Sequence, residues 1–108
     1  AIIRNAENIS ALEVEQVLAT HPAVADVAVI GVPDARTGER VCAVIVASRD
    51  QTVTLHSLFE HCQDSGLSKH KSPECIEFVD ELPRNSTGKV LKADLRARFC
   101  RRQTEEKI

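Results

Sequence analysis

The run Pro83-Arg84-Asn85-Ser86-Thr87-Gly88-Lys89 carries the residue types needed to handle an anion. A polar, flexible loop closed by a glycine delivers a lysine immediately before an apolar helical pattern. An ammonium in that position meets a phosphate or a carboxylate as a compact, strongly hydrated point charge. One specific reading is a phosphate-binding P-loop, G-x-x-x-x-G-K-[ST] between a strand and a helix. The Gly88-Lys89 pair fits it. Pro83 stands where the first glycine belongs, and Val90 where the metal-binding hydroxyl belongs. Proline has no N–H and no positive φ, which argues against a phosphate cradle of that kind. The plain alternative is a surface turn ahead of a helix.

Other clusters carry less. His56, His61, Cys62, His70 and Cys75 invite a metal reading, but neighbours such as His61 and Cys62 point about 100° apart on a helix and chelate poorly. No zinc-ligand spacing is present. Arg96, Arg98, Arg101 and Arg102 suggest a nucleic-acid patch, yet no recognition motif accompanies them, and a solvated final helix explains them as well. With three Phe and no Trp or Tyr, stacking platforms for single-stranded nucleic acid are nearly excluded.

The elements that must position the loop follow from pattern. Ser10-Ala11-Leu12-Glu13 reads as a capping box, with Ala11, Val14, Val17 and Leu18 at helical spacing and Pro22 as terminator. A helix over about 11–20 is expected. Val24 to Val32 is rich in β-branched residues and reads as a strand, followed by a loop punctuated by Pro33-Asp34 and Gly38. Val41 to Ala47 is apolar on both faces, which suits a central strand covered on each side. So short a connection favours an antiparallel pair. Thr54 caps a second helix that Gly66 stops. Glu74 to Val79 reads as a third strand. A third helix runs from Val90 to about Arg102, with Leu91, Leu95 and Phe99 as its stripe. The expected fold class is α+β: a small, mainly antiparallel three-stranded sheet with helices packed on it.

The chain has 108 residues, enough for one domain that buries roughly 65% of its unfolded surface. No apolar run reaches the roughly 18 residues of a membrane span, and no signal-peptide pattern opens the chain. Cysteines at 42, 62, 75 and 100 form no C-x-x-C, so free thiols in a reducing, cytoplasmic setting are expected. The net charge of −2 is uneven: Pro83–Ile108 holds eight Lys/Arg against three Asp/Glu. Either the last helix is a charged, solvated face, or this end meets an anion. The chain opens at Ala1-Ile2-Ile3 as if in mid-strand, and it is expected to be a piece of a longer protein.

The run Phe78-Val79-Asp80-Glu81-Leu82-Pro83-Arg84-Asn85-Ser86-Thr87-Gly88-Lys89-Val90-Leu91-Lys92 resembles the closing motif of adenylate-forming enzymes. These include the acyl-CoA synthetases, the luciferase-like ligases and peptide-synthetase adenylation domains. Ile2-Ile3-Arg4-Asn5-Ala6-Glu7-Asn8-Ile9-Ser10, followed by Glu13-Val14-Glu15, resembles their earlier I-I-S-G-G-E-N-I-S … E-V-E motif. Val27 to Asp34 with Gly38-Glu39 also matches. The resemblance covers nearly the whole chain. Within the superfamily, Glu7-Asn8-Ile9 and Thr87-Gly88-Lys89 look most like the fatty-acyl-CoA synthetase branch.

The resemblance implies that 1–108 is a C-terminal mobile lid that works with an N-terminal domain holding ATP, Mg²⁺ and a carboxylic or fatty acid. It implies a two-step ligation through an acyl-adenylate to a coenzyme A thioester, with the lid rotating between steps. Lys89 matches the adenylation lysine, and Gly88 would let its loop turn tightly. Asn5, Ala6 and Glu7 match the loop along the pantetheine path, with Asn5-Ala6 replacing the usual glycine pair. Asn tolerates positive φ and Ala is small, so the role can survive the change. Lys69 and Lys71 would face CoA phosphates or remain solvated, and Glu74 would oppose the anion. Lys89 is also an expected target of a lysine acetyltransferase and its deacetylase. The isolated lid is expected to be inactive. A rival reading keeps the fold and drops catalysis, leaving a stand-alone interaction module.

Overall fold

The computed structural model describes the backbone of residues 2–106 and the side chains of residues 2–99. The elements run β1 (Ile2–Arg4), β2 (Glu7–Ile9), α1 (Ala11–Leu18), β3 (Val24–Asp34), β4 (Gly38–Ala47), α2 (Leu55–Asp64), a 3-10 turn (Lys69–Lys71), β5 (Cys75–Phe78) and α3 (Lys92–Glu106). The sheet has five strands in the order β2-β1-β4-β3, with β5 also pairing β4.

The expected antiparallel hairpin is present: β3 and β4 pair from Val24↔Ala47 to Asp34↔Gly38. Its turn differs from the expected Pro33-Asp34 loop, because both residues stay in the strand. Pro33 is tolerated since β3 lies at the sheet edge. Asp34 makes the turn, its Oδ1 accepting the amides of Arg36 at 2.8 Å and Thr37 at 3.0 Å. These donors hold its carboxyl below the usual range. β5 runs parallel to β4 from Cys42↔Cys75 to Ile45↔Phe78. The sequence reading of three strands becomes five, because Ile2–Ile9 forms a short hairpin that pattern alone presents as a loop into α1.

Alternation along β4 decides the layers. Val41, Ala43 and Ile45 face α1 and α2, packing with Val14, Leu18, Leu58 and Cys62. Cys42 and Val44 face α3, packing with Leu95 and Phe99. β4 is therefore covered on both sides, as its continuous apolar run requires. Each fully buried Leu or Phe contributes roughly 1.5–3 kcal/mol relative to exposure, so α3 is tied down mainly by Leu95 and Phe99.

The helix starts follow their caps, with one correction. Ser10 Oγ accepts the Glu13 amide at 3.2 Å, but the reciprocal half of the box is not made. Glu13 instead pairs with Lys71 at 3.0 Å. The reciprocal box occurs at α2, between Thr54 and Ser57. α3 begins at Lys92 rather than Val90, because Val90 is spent in a β-bridge with Arg84.

Candidate functional site

Lys89 sits at the end of an arch between β5 and α3. Arg84 and Val90 pair across its base, and the Leu91 amide donates to the Pro83 carbonyl at 2.8 Å. Asn85 organises the interior. Its side-chain oxygen accepts the Thr87 amide at 3.0 Å, the Thr87 hydroxyl at 2.7 Å and the Lys89 amide at 3.0 Å. The Asn85 carbonyl accepts the Gly88 amide at 3.0 Å. Gly88 has φ +87, the left-handed region that closes the turn. The loop expected to be flexible is thus a hydrogen-bonded arch. The amides of Asn85, Thr87, Gly88 and Lys89 are already donated inward, which argues against a phosphate cradle on geometry as Pro83 does on sequence.

Two ion pairs anchor the arch to the sheet edge and its helices. Arg84 donates to Asp26 at 2.6 Å and also to the Gly88 carbonyl at 2.8 Å. Lys92, at the start of α3, lies 2.8 Å from Glu15 on α1. The same Glu15 carboxylate accepts the Val29 amide of β3 at 2.8 Å. Asp26 escaped the sequence reading, and Glu15 entered it only as part of the Glu13-Val14-Glu15 motif, because their partners lie far along the chain. Lys89 itself is exposed. Among the described residues its ammonium has no hydrogen-bond or ion-pair partner, and it borders an open groove of about 850 Å³ that also touches Leu12, Glu15 and Arg96. Leu12 is 63% exposed beside it.

The second predicted group, Asn5, Ala6 and Glu7, lies elsewhere. Asn5 and Ala6 form the two-residue turn between β1 and β2, with φ +50 and +64. Positive φ at both positions is the signature of the primed hairpin turns. The backbone that a glycine pair would favour is therefore kept by Asn and Ala. The Asn5 amide donates to the Thr37 carbonyl at 2.8 Å. Glu7 pairs with His70 at 2.7 Å, and Arg4 pairs with Glu74 at 2.7 Å. Lys71, partly exposed, is committed to an ion pair with Glu13. Arg4, Lys69, His70 and Glu74 share an open groove of about 460 Å³ with Phe59 and Pro73.

The arch and the hairpin are not brought together. Arg84 meets β3 at Asp26, whereas Arg4 pairs with Gly38 opposite Asp34. The stretch Asp26–Asp34 spans roughly 26 Å at about 3.3 Å per residue. Among the described residues, no group of three or more His, Cys, Asp or Glu side chains is arranged to hold a metal ion. Cys42 and Cys75 are strand thiols, as expected, and register partners across β4 and β5. The side chains of Cys100, Arg101 and Arg102 lie outside the described residues.

A sheet with this arch and hairpin matches known proteins throughout. Residues 13–89 match the AMP-binding enzyme C-terminal domain, and the chain belongs to that family. It is 46% identical over 98 residues to a vibriobactin-specific 2,3-dihydroxybenzoate-AMP ligase of Vibrio cholerae, covering 91% of this chain and 18% of that protein. It is 48% identical over 91 residues to a 4-chlorobenzoate–CoA ligase of Arthrobacter, covering 84% of this chain and 17% of that protein. A Mycobacterium tuberculosis fatty acyl CoA synthetase structure superposes with a TM-score of 0.83 at 38% identity, over 92% of this chain and 19% of its own. The chain thus spans about a fifth of the length of the relatives it matches.

Proposed function

We propose that this chain is the lid of an AMP-forming acid–CoA ligase, and that Lys89 serves adenylation while the Asn5–Glu7 hairpin serves thioester formation. In the first step a carboxylate oxygen attacks the α-phosphorus of ATP, giving acyl-AMP and releasing pyrophosphate. Two anions must approach, and an ammonium between them offsets their repulsion and stabilises the charge of the transition state. In the second step the CoA thiol attacks the acyl carbon, its proton is lost, and AMP leaves. ATP, Mg²⁺ and the acid belong to the companion N-terminal domain in this reading. Fatty acids are the proposed acid class and the cytoplasm the proposed setting. The relatives named above act on aryl acids as well as acyl groups by their names, so this choice rests on the Thr87-Gly88-Lys89 and Glu7-Asn8-Ile9 motifs.

The observation that carries the reading is the placement of Lys89. Its backbone is fixed by the Asn85 arch while its ammonium is left without a partner among the described residues. Lys71 and Lys92, by contrast, are held in ion pairs, and Lys69, exposed as Lys89 is, has no such arch to fix its backbone. The separation of arch and hairpin supports the rotation. Sites at opposite ends of the β3–β4 ladder serve one active centre only in turn.

The test is a half-reaction assay of the full-length protein. Lys89→Ala should slow acyl-AMP formation by about 10²–10³, the usual loss for one such donor. Thioester formation from supplied acyl-AMP should stay near the parent rate. Equal losses in both steps would refute the division of labour. Acetylation of Lys89 removes the same charge, so Lys89→Gln is expected to match the alanine variant.

A further inference from the structure

We infer that Glu39 is a positioning residue that latches the Asn5–Ala6 hairpin, and that Gly31 is the space cut for its carboxylate. The inference deepens the role proposed for the hairpin and rests on it. Among the described residues β1 has one register pair with β4, Arg4↔Gly38. The Asn5–Thr37 backbone bond holds the turn itself, so the strand leading into it takes its further ties from side chains.

Glu39 supplies one. It stands in β4 on the same face as Val41, opposite Pro33. Its Oε1 accepts the Ile3 amide at 2.9 Å, two residues before the turn. The bond is charge-assisted, which makes it stronger than a neutral one. The other carboxylate oxygen lies over Gly31 of β3. A Cβ built on Gly31 would stand 2.5 Å from Glu39 Oε2 and 2.9 Å from its Cδ. No side chain fits there while the carboxylate is in place. Gly31 has no need of glycine for its φ, which lies outside the positive-φ set. What it provides is clearance for the carboxylate.

Arg4–Glu74 and Glu7–His70 tie the hairpin from its other side. Those are pairs between two side chains. Glu39 differs in acting on the backbone of β1, so its loss changes where the strand lies and not only how two side chains meet.

The test compares Glu39→Ala, Gly31→Ala and Glu39→Gln in the full-length protein. Gly31→Ala should push the carboxylate off the Ile3 amide, because the displaced atoms are the end of a flexible side chain. Glu39→Gln keeps an acceptor oxygen and should keep the latch. The first readout is amide hydrogen exchange at Ile3–Glu7, which is independent of the chemistry. Glu39→Ala and Gly31→Ala should exchange about tenfold faster there, with Glu39→Gln near the parent. The second readout is the half-reactions. The same two variants should raise the CoA KM of the thioester step about tenfold, with acyl-AMP formation within about twofold. Unchanged exchange in Glu39→Ala overturns the latch. Faster exchange with an unchanged CoA KM overturns the positioning role, and uniform loss of both half-reactions overturns it too. If the parent protein makes no thioester while the exchange result stands, the ligase reading fails and the latch survives.

Discussion

Ala6 shows how much one residue's backbone can demand. An L-residue at φ +64 sits where its Cβ crowds the following carbonyl, at a cost of roughly 1–2 kcal/mol. Replacing Ala6 by Gly removes that strain but adds about 0.4–1 kcal/mol of unfolded-chain entropy. Ala6→Gly is therefore expected to raise the unfolding free energy by about 0.5–1 kcal/mol, read from a denaturant melt. A loss of stability would show that the hairpin does not hold this turn in solution. Asn5 shares the conformation but pays less for it, since Asn visits the left-handed region far more readily than Ala. The departure from a glycine pair is visible in the sequence, where Asn's tolerance of positive φ and Ala's small size leave room for the same turn. The structure shows the turn intact, because Arg4↔Glu7 pairing and the Thr37 carbonyl over-determine it.

At the scale of elements, α1 and α2 meet end to side through histidines. His61 of α2 lies 3.1 Å from the Val17 carbonyl and 2.7 Å from the Thr20 hydroxyl, closing the end of α1. His21 stacks edge-on against it with ring centroids 5.1 Å apart, and accepts the Ala23 amide through Nδ1 at 3.0 Å. Burial, and then the neighbouring His61, push the His21 pKa below 6.5. The unfolded chain thus binds a proton more readily than the folded one. Stability is full above about pH 6.5 and declines as pH falls from there toward the lowered folded value. The unfolding midpoint should therefore drop as pH falls below about 6.5, and His21→Asn should flatten the decline. An identical pH profile in the variant would remove His21 as the cause. Pattern found both helices and their caps. It did not find this joint, because His21, His61 and Val17 become neighbours only when the helices dock.

For the whole molecule, the two candidate sites are held apart by one rigid ladder. The β3–β4 pair keeps register from Asp26 to Asp34 and acts as a spacer between them; on the proposed reading, a rotation of the lid would exchange one site for the other without remodelling either. The groove that Lys89 borders is open rather than enclosed. On the proposed reading, the isolated chain should form no acyl-AMP from ATP and acid, and ATP titrated into it should bind no more tightly than millimolar. Micromolar ATP binding by the chain alone would favour a nucleotide-binding module over a lid.

Local chemistry along the chain was enough to place the three helices and the β3–β4 hairpin, and to point to Lys89. Periodicity, caps and turn residues act over a few neighbours, and the Gly88-Lys89 motif is itself a local string. The extra hairpin strands, the rigid arch and the Glu39 latch required the tertiary fold. Ile2-Ile3 already looks strand-like in the sequence, but three residues do not reveal that they turn back to pair with β2 and meet β4. Asp26, Glu15 and Gly31 gain their meaning from partners that only sheet pairing and helix docking bring within reach. That the Lys89 ammonium has no partner among the described residues is likewise a property of the assembled structure, since only there are Glu15 and Asp26 taken by Lys92 and Arg84.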